Sequence, residues 1–434
     1  MSILSSLKAL KANPAVKSLG IYTFTNFFGK SASFLLLFVF TNPLFITPSE
    51  NGLLSLFSTS MLFLMPFLSM GIIHSTSIEF FKLRKEEFKS LFTTGFVMPL
   101  AVMLVSTILL YLFREKLQLT YGFPYMFIWL IPFITFLTFC NEQFFSLTRN
   151  NNEPGNFLKL NLTRIILELS ISYILVVFLA WRWQGRIAGI LVAYIVAGAF
   201  SFYYFISRGY LFGTIKKKYI YSELIYAIPI IAMQASIFCL SSSDRFFLSA
   251  NTNDNNETVG IYSIASIFSS IIIVLCGAFI QYIFPKVYLH LSATPVNYPG
   301  ILKHFKLYLY AMIGGTMAIL LLTPAAYHFF INEKYHPAIK YVYLLTPGFF
   351  LWSIIYFFYS FLLFYKEKKK LLGLSLAGII CSLTFNYFFI RWWGTWGAAI
   401  ANFSAYSVML VLTLVFTRGY WKNFSQQKEA SIHT

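Results

Sequence analysis

The chain has 434 residues, of which 58% are hydrophobic and 11% are charged, and its formal net charge is +18. Soluble proteins carry about 25% charged residues, so this composition excludes a soluble enzyme and a soluble nucleic-acid-binding domain. Apolar stretches of about twenty residues, the length that crosses a bilayer as a helix with its backbone polar groups satisfied internally, follow one another from residue 20 to residue 416. They predict an integral membrane protein.

The first nineteen residues precede the apolar stretches and carry three basic side chains, Lys8, Lys11 and Lys17, among apolar ones. The apolar stretch that follows is too long for the core of a secretory signal and has no small-residue cleavage pattern. We therefore expect residues 1–19 to form an amphipathic segment on the cytoplasmic face, with residues 2–13 as a short interfacial helix.

Twelve membrane-spanning helices are predicted, and the fold class is all-α. The breaks between them are short, the longest being 207–222 and 286–306, and an independent domain needs roughly fifty residues. Because neither break reaches that length, a membrane-bound polymerase or transferase with a large catalytic loop is disfavoured, and we expect no enzyme. The predicted spans are 20–40, 53–73, 91–113, 123–145, 157–180, 186–206, 223–248, 259–285, 307–330, 339–364, 371–390 and 395–416.

The basic residues alternate between the two sides of these spans. With a cytoplasmic N-terminus, 23 of the 33 Lys and Arg residues lie on the cytoplasmic side and eight on the outside, while Lys30 and Arg164 lie within spans. Cytoplasmic loops of membrane proteins are enriched in Lys and Arg. The count therefore predicts that both termini are cytoplasmic, with residues 421–434 as a C-terminal tail. It explains the positive net charge by membrane topology and contact with membrane lipid rather than by nucleic-acid binding.

A weak internal repeat relates the two halves of the chain. Gly52 and Gly260 open corresponding spans 208 residues apart, and the tripeptide Arg-Gly-Tyr ends both halves, at 208–210 and 418–420. Because six spans is an even number, the halves are parallel repeats. We predict two six-helix lobes, residues 20–210 and 211–420, that move against each other to give alternating access. The four cysteines, which match no metal or redox spacing, are interpreted as packing residues: Cys140, Cys239, Cys276 and Cys381.

Three stretches resemble a known family. The first runs from residue 36 to residue 56 and contains Thr-Asn-Pro and Pro-Ser-Glu-Asn-Gly. The second joins Ala-Ile-Pro at 227–229 to Ser-Asp-Arg-Phe-Phe-Leu at 243–248 and Gly-Ile-Tyr-Ser at 260–263. The third joins Asn386 to Gly-Thr-Trp-Gly-Ala-Ala-Ile-Ala at 394–401. Along essentially the whole chain, the sequence resembles Wzx-type polysaccharide flippases of the multidrug/oligosaccharidyl-lipid/polysaccharide exporter superfamily.

This resemblance implies a MATE-like fold in a bacterial cytoplasmic (inner) membrane. It also implies the export of a polyprenyl-pyrophosphate-linked oligosaccharide repeat unit from the cytoplasmic to the external leaflet, for O-antigen, capsule or exopolysaccharide. A polysaccharide polymerase and a chain-length regulator are the expected protein partners. No cofactor is expected, and coupling to H⁺ or Na⁺ stays open. The alternatives are a cation-coupled multidrug or metabolite exporter and a lipid II flippase.

A few polar residues within the spans are the candidate site. A Lys or Arg at this depth is costly unless it faces water or a partner, so we interpret Lys30 and Arg164 as cavity cations for phosphate, with Asn26 beside them. Glu168, four residues after Arg164, shares its helix face and either pairs with it or carries a coupling ion. Glu142 is a charge-pairing candidate. Asp244 and Arg245 form either an external gate or a local anchor of a helix end. We expect no catalytic or metal-binding residue.

Overall fold

The structure, a computed structural model, describes the backbone of residues 37–430 and the side chains of 37–224 and 227–420. Within those residues the chain is helical and contains no strand. Residues 37–40 are helical. After them the described part of the chain contains fourteen α-helices, one π-helical turn and one 3₁₀ turn, in this order: α1 Pro48–Ser69, α2 Ile72–Glu79, α3 Lys85–Leu112, α4 Arg114–Tyr121, α5 Phe127–Asn150, α6 Pro154–Tyr173 continued by the π turn Ile174–Phe178, α7 Arg182–Ser207, α8 Lys217–Ser242, α9 Asp244–Asn251, α10 Glu257–Ser269, α11 Ile271–Ser292, α12 Tyr298–Phe330, the 3₁₀ turn Glu333–Ala338, α13 Ile339–Phe364 and α14 Lys368–Ala430.

Within the described residues, nine helices are long and apolar enough to cross a membrane, or ten if the bent α8 is counted as one span. Helix α14 is broken at Gly394, where φ is 55° and ψ is −130°, so the predicted spans 371–390 and 395–416 lie on either side of this break. The predicted span 20–40 and the N-terminal segment 1–19 fall almost entirely outside the described residues. The all-helical membrane fold is confirmed, and the count of twelve stays a prediction.

One predicted loop is wrong. The break expected at 286–306 is short, because α11 continues to Ser292 and α12 begins at Tyr298. Polar and basic residues in that stretch indicate a loop, but a helix can carry them beyond the apolar layer. Asn297 caps the start of α12 by accepting a hydrogen bond from the Gly300 amide at 2.9 Å, which satisfies one of the free amides of a helix start.

The chain divides into two compact units: Met1–Glu50 with Leu56–Ile231, and Asn51–Ser55 with Ala232–Thr434. In the first unit, aromatic rings fill the core between α3, α5 and α7. Phe96 lies 5.4 Å from Phe139 and 5.6 Å from Phe205, measured between ring centroids in edge-to-face geometry. Such pairs are favourable beyond their buried area. The core therefore fixes α7 against its neighbours and positions the polar residues that α7 carries.

The two units contain the same turn at corresponding places. After α5 the amide of Glu153 donates to the Thr148 carbonyl at 2.8 Å, across Asn152 with φ 54°. After α13 the amide of Glu367 donates to the Leu362 carbonyl at 2.9 Å, across a Lys with φ 55°. Both are Schellman caps, with a left-handed residue ending the helix. The two units therefore share this turn, and the repeat that the sequence indicates stays a prediction.

Each of these turns ends in a glutamate that holds the last helix of its own half. Glu153 accepts a hydrogen bond from the Tyr204 hydroxyl at 3.0 Å and forms an ion pair with Arg208. Glu367 accepts from the Tyr420 hydroxyl at 2.6 Å and pairs with Lys370 at 3.0 Å. The Tyr420 hydroxyl, and then Lys370, hold the pKa of the Glu367 carboxyl below its usual range. The tripeptide thus contributes Arg208 to the contact in the first half and Tyr420 to the contact in the second.

Candidate functional site

Helices α6 and α7 form a tight antiparallel hairpin in the first unit. A Cβ atom at Gly189 would lie 2.2 Å from the Ser172 hydroxyl oxygen and 2.7 Å from its amide nitrogen. No side chain fits at that distance, so glycine allows the two backbones to approach closely, as small residues commonly do between membrane helices. This contact brings the polar residues of the two helices onto one facing surface.

Three charged side chains meet on this hairpin, and we refer to Arg164, Glu168 and Arg186 as the two-arginine cluster. One carboxylate oxygen of Glu168 lies 3.4 Å from Arg164 Nη1, and the other lies 2.8 Å from Arg186 Nη2. The side chains are 20%, 13% and 16% exposed, respectively. Because one carboxylate is shared by two guanidiniums, the cluster carries one uncompensated positive charge.

Neutral groups complete the surroundings of the two guanidiniums. Arg164 donates to the Tyr194 hydroxyl at 3.1 Å and to Asn161 Oδ1 at 3.3 Å. Arg186 donates to the Ser172 hydroxyl at 3.0 Å, and its guanidinium carbon lies 5.3 Å from the centroid of the Phe40 ring. Two arginines have ten N–H donors, and these side chains form five hydrogen bonds with described residues. The described residues therefore use at most half of these donors.

Arg164 and Glu168 lie within the span that α6 and its π turn form. Arg164 is ten residues after the first residue of α6, or roughly 15 Å along the helix axis at 1.5 Å per residue. Arg186 lies only one turn after the start of α7, but its long side chain reaches the carboxylate of Glu168. Sequence reasoning missed Arg186 because it assigned this residue to an external helix end. The Gly185 and Gly189 pair, four residues apart, is the signal that indicates close packing here.

Two of the predicted site residues lie outside the described residues. Lys30 and Asn26 precede residue 37, so their role in a cavity stays a prediction. Glu142 is on α5, where it is half-buried. Among the described residues it forms no ion pair within 4 Å, so contact pairing of Glu142 with Arg164 is not seen.

Asp244 and Arg245 lie in the second unit, at the start of α9, where Asp244 is buried and Arg245 is half-buried. Asp244 accepts hydrogen bonds from the Tyr262 hydroxyl at 2.7 Å and from the Arg245 amide at 2.9 Å. Arg245 donates to the Ser266 hydroxyl at 2.9 Å, and its Nη1 lies 3.7 Å from Asp244 Oδ1. These contacts tie α9 to α10 and favour the anchoring interpretation. A gating role stays a prediction.

Sequence reasoning also missed an ion pair that holds the turn between α6 and α7. Glu50, in the first turn of α1, accepts hydrogen bonds from Arg182 at 2.7 and 3.0 Å. The same carboxylate accepts from the Thr47 amide at 2.7 Å, which completes a capping box. The bidentate geometry orients the turn that leads to Arg186.

The cysteines agree with their interpretation as packing residues. Cys140, Cys239 and Cys276 are buried, Cys381 is half-buried, and all four are free thiols. Across the described part of the chain, His, Cys, Asp and Glu form no group of three that could hold a metal ion.

Comparison with known proteins identifies the family. The family model described as polysaccharide biosynthesis protein matches residues 15–287, which is more than half of the chain. No curated protein is significantly similar to the chain in sequence.

Solved structures share the fold. One is an inward-facing multidrug resistance MATE family transporter of the MOP superfamily, 14% identical, with a TM-score of 0.70; the match covers 90% of this chain and 95% of that one. Another is the lipid II flippase MurJ in an inward closed conformation, 14% identical, with a TM-score of 0.73 and coverage of 92% and 87%. A MOP superfamily transporter from Pyrococcus furiosus is 14% identical, with a TM-score of 0.60 and coverage of 95% and 96%.

At this identity the structural likeness concerns the fold alone, whereas the family model reports membership. The chain therefore belongs to the polysaccharide biosynthesis protein family, as its resemblance to Wzx-type flippases predicts, and it has the all-helical membrane fold of MOP superfamily transporters.

Proposed function

We propose that this protein is a flippase rather than an enzyme. Its cargo is a polyprenyl-pyrophosphate-linked oligosaccharide, which it moves from the cytoplasmic to the external leaflet of a bacterial inner membrane by alternating access. The observation that carries this proposal is the two-arginine cluster. Arginine forks bind phosphate oxygens in bidentate geometry, and a cation within a span is functional by default.

The charge of the cluster also favours this cargo over a cationic drug. Within the cluster the one carboxylate does not favour a cationic ligand, because both oxygens of Glu168 are already bound by arginines. We infer that Glu168 holds the two guanidiniums apart and oriented, and that it is not the carrier of a coupling H⁺ or Na⁺. For the Pyrococcus furiosus transporter, the reverse polarity of the binding pocket suggests a different function, which agrees with using charge to discriminate between cargoes in this fold.

A lipid II flippase is the second candidate function. The likeness to MurJ, with a TM-score of 0.73, favours it, and a diphosphate on a lipid carrier would meet the same arginines. The two cargoes differ in the sugars that follow the phosphates, so the cluster does not discriminate between them. Complementation does, because only one of the two transport defects is relieved by the protein.

The test measures in which leaflet of the membrane the lipid-linked oligosaccharide accumulates. In a host that lacks the gene, we expect the lipid-linked oligosaccharide to accumulate facing the cytoplasm, and we expect the wild-type protein to relieve that accumulation. Arg164→Ala and Arg186→Ala should each reduce relief at least tenfold at equal membrane abundance, and Lys116→Ala should not. Lys116 is exposed on α4. Its substitution also removes one positive charge, but at a position outside the hairpin. Full relief by both arginine variants would exclude the cluster as the phosphate site.

Accumulation on the external face in the deletion strain would instead indicate a polymerisation step. No accumulation of either kind would indicate a drug or metabolite exporter. The polysaccharide polymerase and the chain-length regulator stay predicted partners, and crosslinking in the same host would identify them.

A further inference from the structure

A basic surface at one end of the first unit is built from two chain segments, and we refer to residues 78–89 with residues 211–218 as the basic platform. Three hydroxyl side chains of α3 hold the second segment in place. The Gly213 amide donates to Thr93 Oγ1 at 2.9 Å, and the Lys216 amide donates to Thr94 Oγ1 at 3.2 Å. The hydroxyls of Ser90 and Thr214 lie 3.1 Å apart.

The two segments also touch through their backbones. A Cβ atom at Gly213 would lie 2.6 Å from the carbonyl carbon and oxygen of Lys89. This approach brings a run of three lysines to the end of α3 that already carries basic residues. The platform contains seven basic residues and three acidic ones: Lys82, Arg84, Lys85, Lys89, Lys216, Lys217 and Lys218 against Glu79, Glu86 and Glu87. Its net charge is therefore +4.

Large apolar side chains project from the same two segments. Phe81 is 70% exposed, Phe212 is 76% exposed and Ile215 is 58% exposed. Apolar side chains interleaved with lysines are typical of a surface that lies at the lipid headgroup boundary. The position agrees, because α3 and α7 are candidate membrane spans, and the platform lies where α3 begins and α7 has ended.

We propose that the basic platform binds anionic phospholipid headgroups, with Phe81 and Phe212 inserted between the acyl chains. Clusters of four to eight Lys and Arg residues directly beside a membrane span have this role in general. An acidic protein segment would match the charge but would leave the two phenylalanines in water. This site is separate from the two-arginine cluster, and the proposal is independent of the cargo.

The binding test uses the full-length protein purified in detergent and titrated with phosphatidylglycerol or phosphatidylcholine, with thermal unfolding as the readout. We expect stabilisation by phosphatidylglycerol and little by phosphatidylcholine. In the variant K216Q/K217Q/K218Q, apparent affinity for phosphatidylglycerol should fall about fivefold for each lysine removed. The matched control, K116Q/K334Q/K340Q, removes the same charge at three exposed positions that are separated along the chain, and it should stay within twofold of wild type. Equal losses in both variants would overturn the site.

A second variant tests whether lipid binding depends on the arrangement of the two segments and not only on their charge. S90A/T93V/T94V removes the hydroxyls that hold residues 213–216 but changes no charge, and we expect it to weaken phosphatidylglycerol binding at least threefold. Thr93→Val alone is used if the triple variant is not monodisperse. Wild-type affinity in the hydroxyl variants would show that the arrangement of the two segments does not matter, and would overturn the proposal. Equal stabilisation by the two lipids would also overturn it and would direct attention to an acidic protein partner.

Discussion

At the level of single residues, the two-arginine cluster is a small network in which one acid compensates two bases. Removing the acid leaves two guanidiniums close together in a site that is at most 20% exposed. Breaking a buried ion pair from one side is more costly than removing both partners, because an uncompensated charge stays behind. The stability of the cluster should therefore depend on its charge balance more than on any one contact.

We predict that Glu168→Gln lowers the free energy of unfolding by about 3 kcal/mol. The double variant Glu168→Gln/Arg186→Gln should recover at least half of that loss, because it removes one of the two unpaired cations. A double-mutant cycle of thermal unfolding in detergent measures the coupling. Glu115→Gln is the control, since Glu115 is 79% exposed in its pair with Arg114 and surface pairs contribute little. Additive effects of the two substitutions would contradict the shared-carboxylate description.

Glu223, a second acidic residue of the first unit, forms no ion pair with a described residue. Glu223 is 2% exposed, and one of its oxygens accepts from the Ser75 hydroxyl at 2.6 Å. Its other oxygen has no hydrogen-bond partner among the described residues. A buried carboxylate without a cation is costly. Glu223 therefore contributes less to stability as an anion than the paired acid Glu153 does.

Glutamine substitution should separate these two acids. We expect Glu223→Gln to leave the melting temperature unchanged or to raise it, because the amide keeps the Ser75 contact and removes a buried charge. Glu153→Gln should lower the melting temperature, because Arg208 loses its ion pair. Thermal unfolding of the two variants in the same detergent compares them directly. A larger loss in Glu223→Gln than in Glu153→Gln would show that Glu223 is paired in the folded protein.

At the level of helices, the α6–α7 hairpin shows how packing creates the site. Glycine at 189 is what lets Ser172 approach, and Ser172 accepts a hydrogen bond from Arg186. The spacing of the small residues therefore determines which polar side chains can meet. Any group larger than hydrogen at 189 must separate the helices or shift Ser172.

We predict that Gly189→Ala destabilises the protein by about 1–3 kcal/mol, the usual cost of overpacking, and reduces export together with it. Gly155→Ala, in the first turn of α6, should have no effect on either, since a Cβ atom there meets nothing within 4 Å. Thermal unfolding and the leaflet assay are measured on both variants. Wild-type stability of Gly189→Ala would mean that the hairpin is looser than described.

The sequence predicted the fold class because apolar length alone identifies a membrane helix. It predicted the shared face of Arg164 and Glu168 because a four-residue spacing is a local property of one helix. It could not predict that the second oxygen of Glu168 binds Arg186, since that depends on the register between two helices. It also missed the short helices α2 and α4, which are eight residues long and carry no spanning signal.

At the level of the whole molecule, the first unit has two chemically different ends. One end contains the basic platform and the Glu153–Arg208 pair, and the contacts between 89 and 213 place the start of α3 beside the loop that precedes α8. The opposite end contains α4 and the Glu50–Arg182 pair. The excess of lysine at the first end supports its assignment to the cytoplasm.

Thiol labelling tests this orientation, and the native cysteines give a low background because three are buried and Cys381 is half-buried. We predict that Leu119→Cys, at an α4 position that is 88% exposed, reacts with an impermeant maleimide added outside intact cells. Lys217→Cys, at an exposed position of the platform, should react only after the cells are opened. Since the two positions lie at opposite ends of one unit, their labelling must differ in any membrane orientation. Labelling of Lys217→Cys from outside, with Leu119→Cys protected, would invert the topology and with it the proposed direction of export.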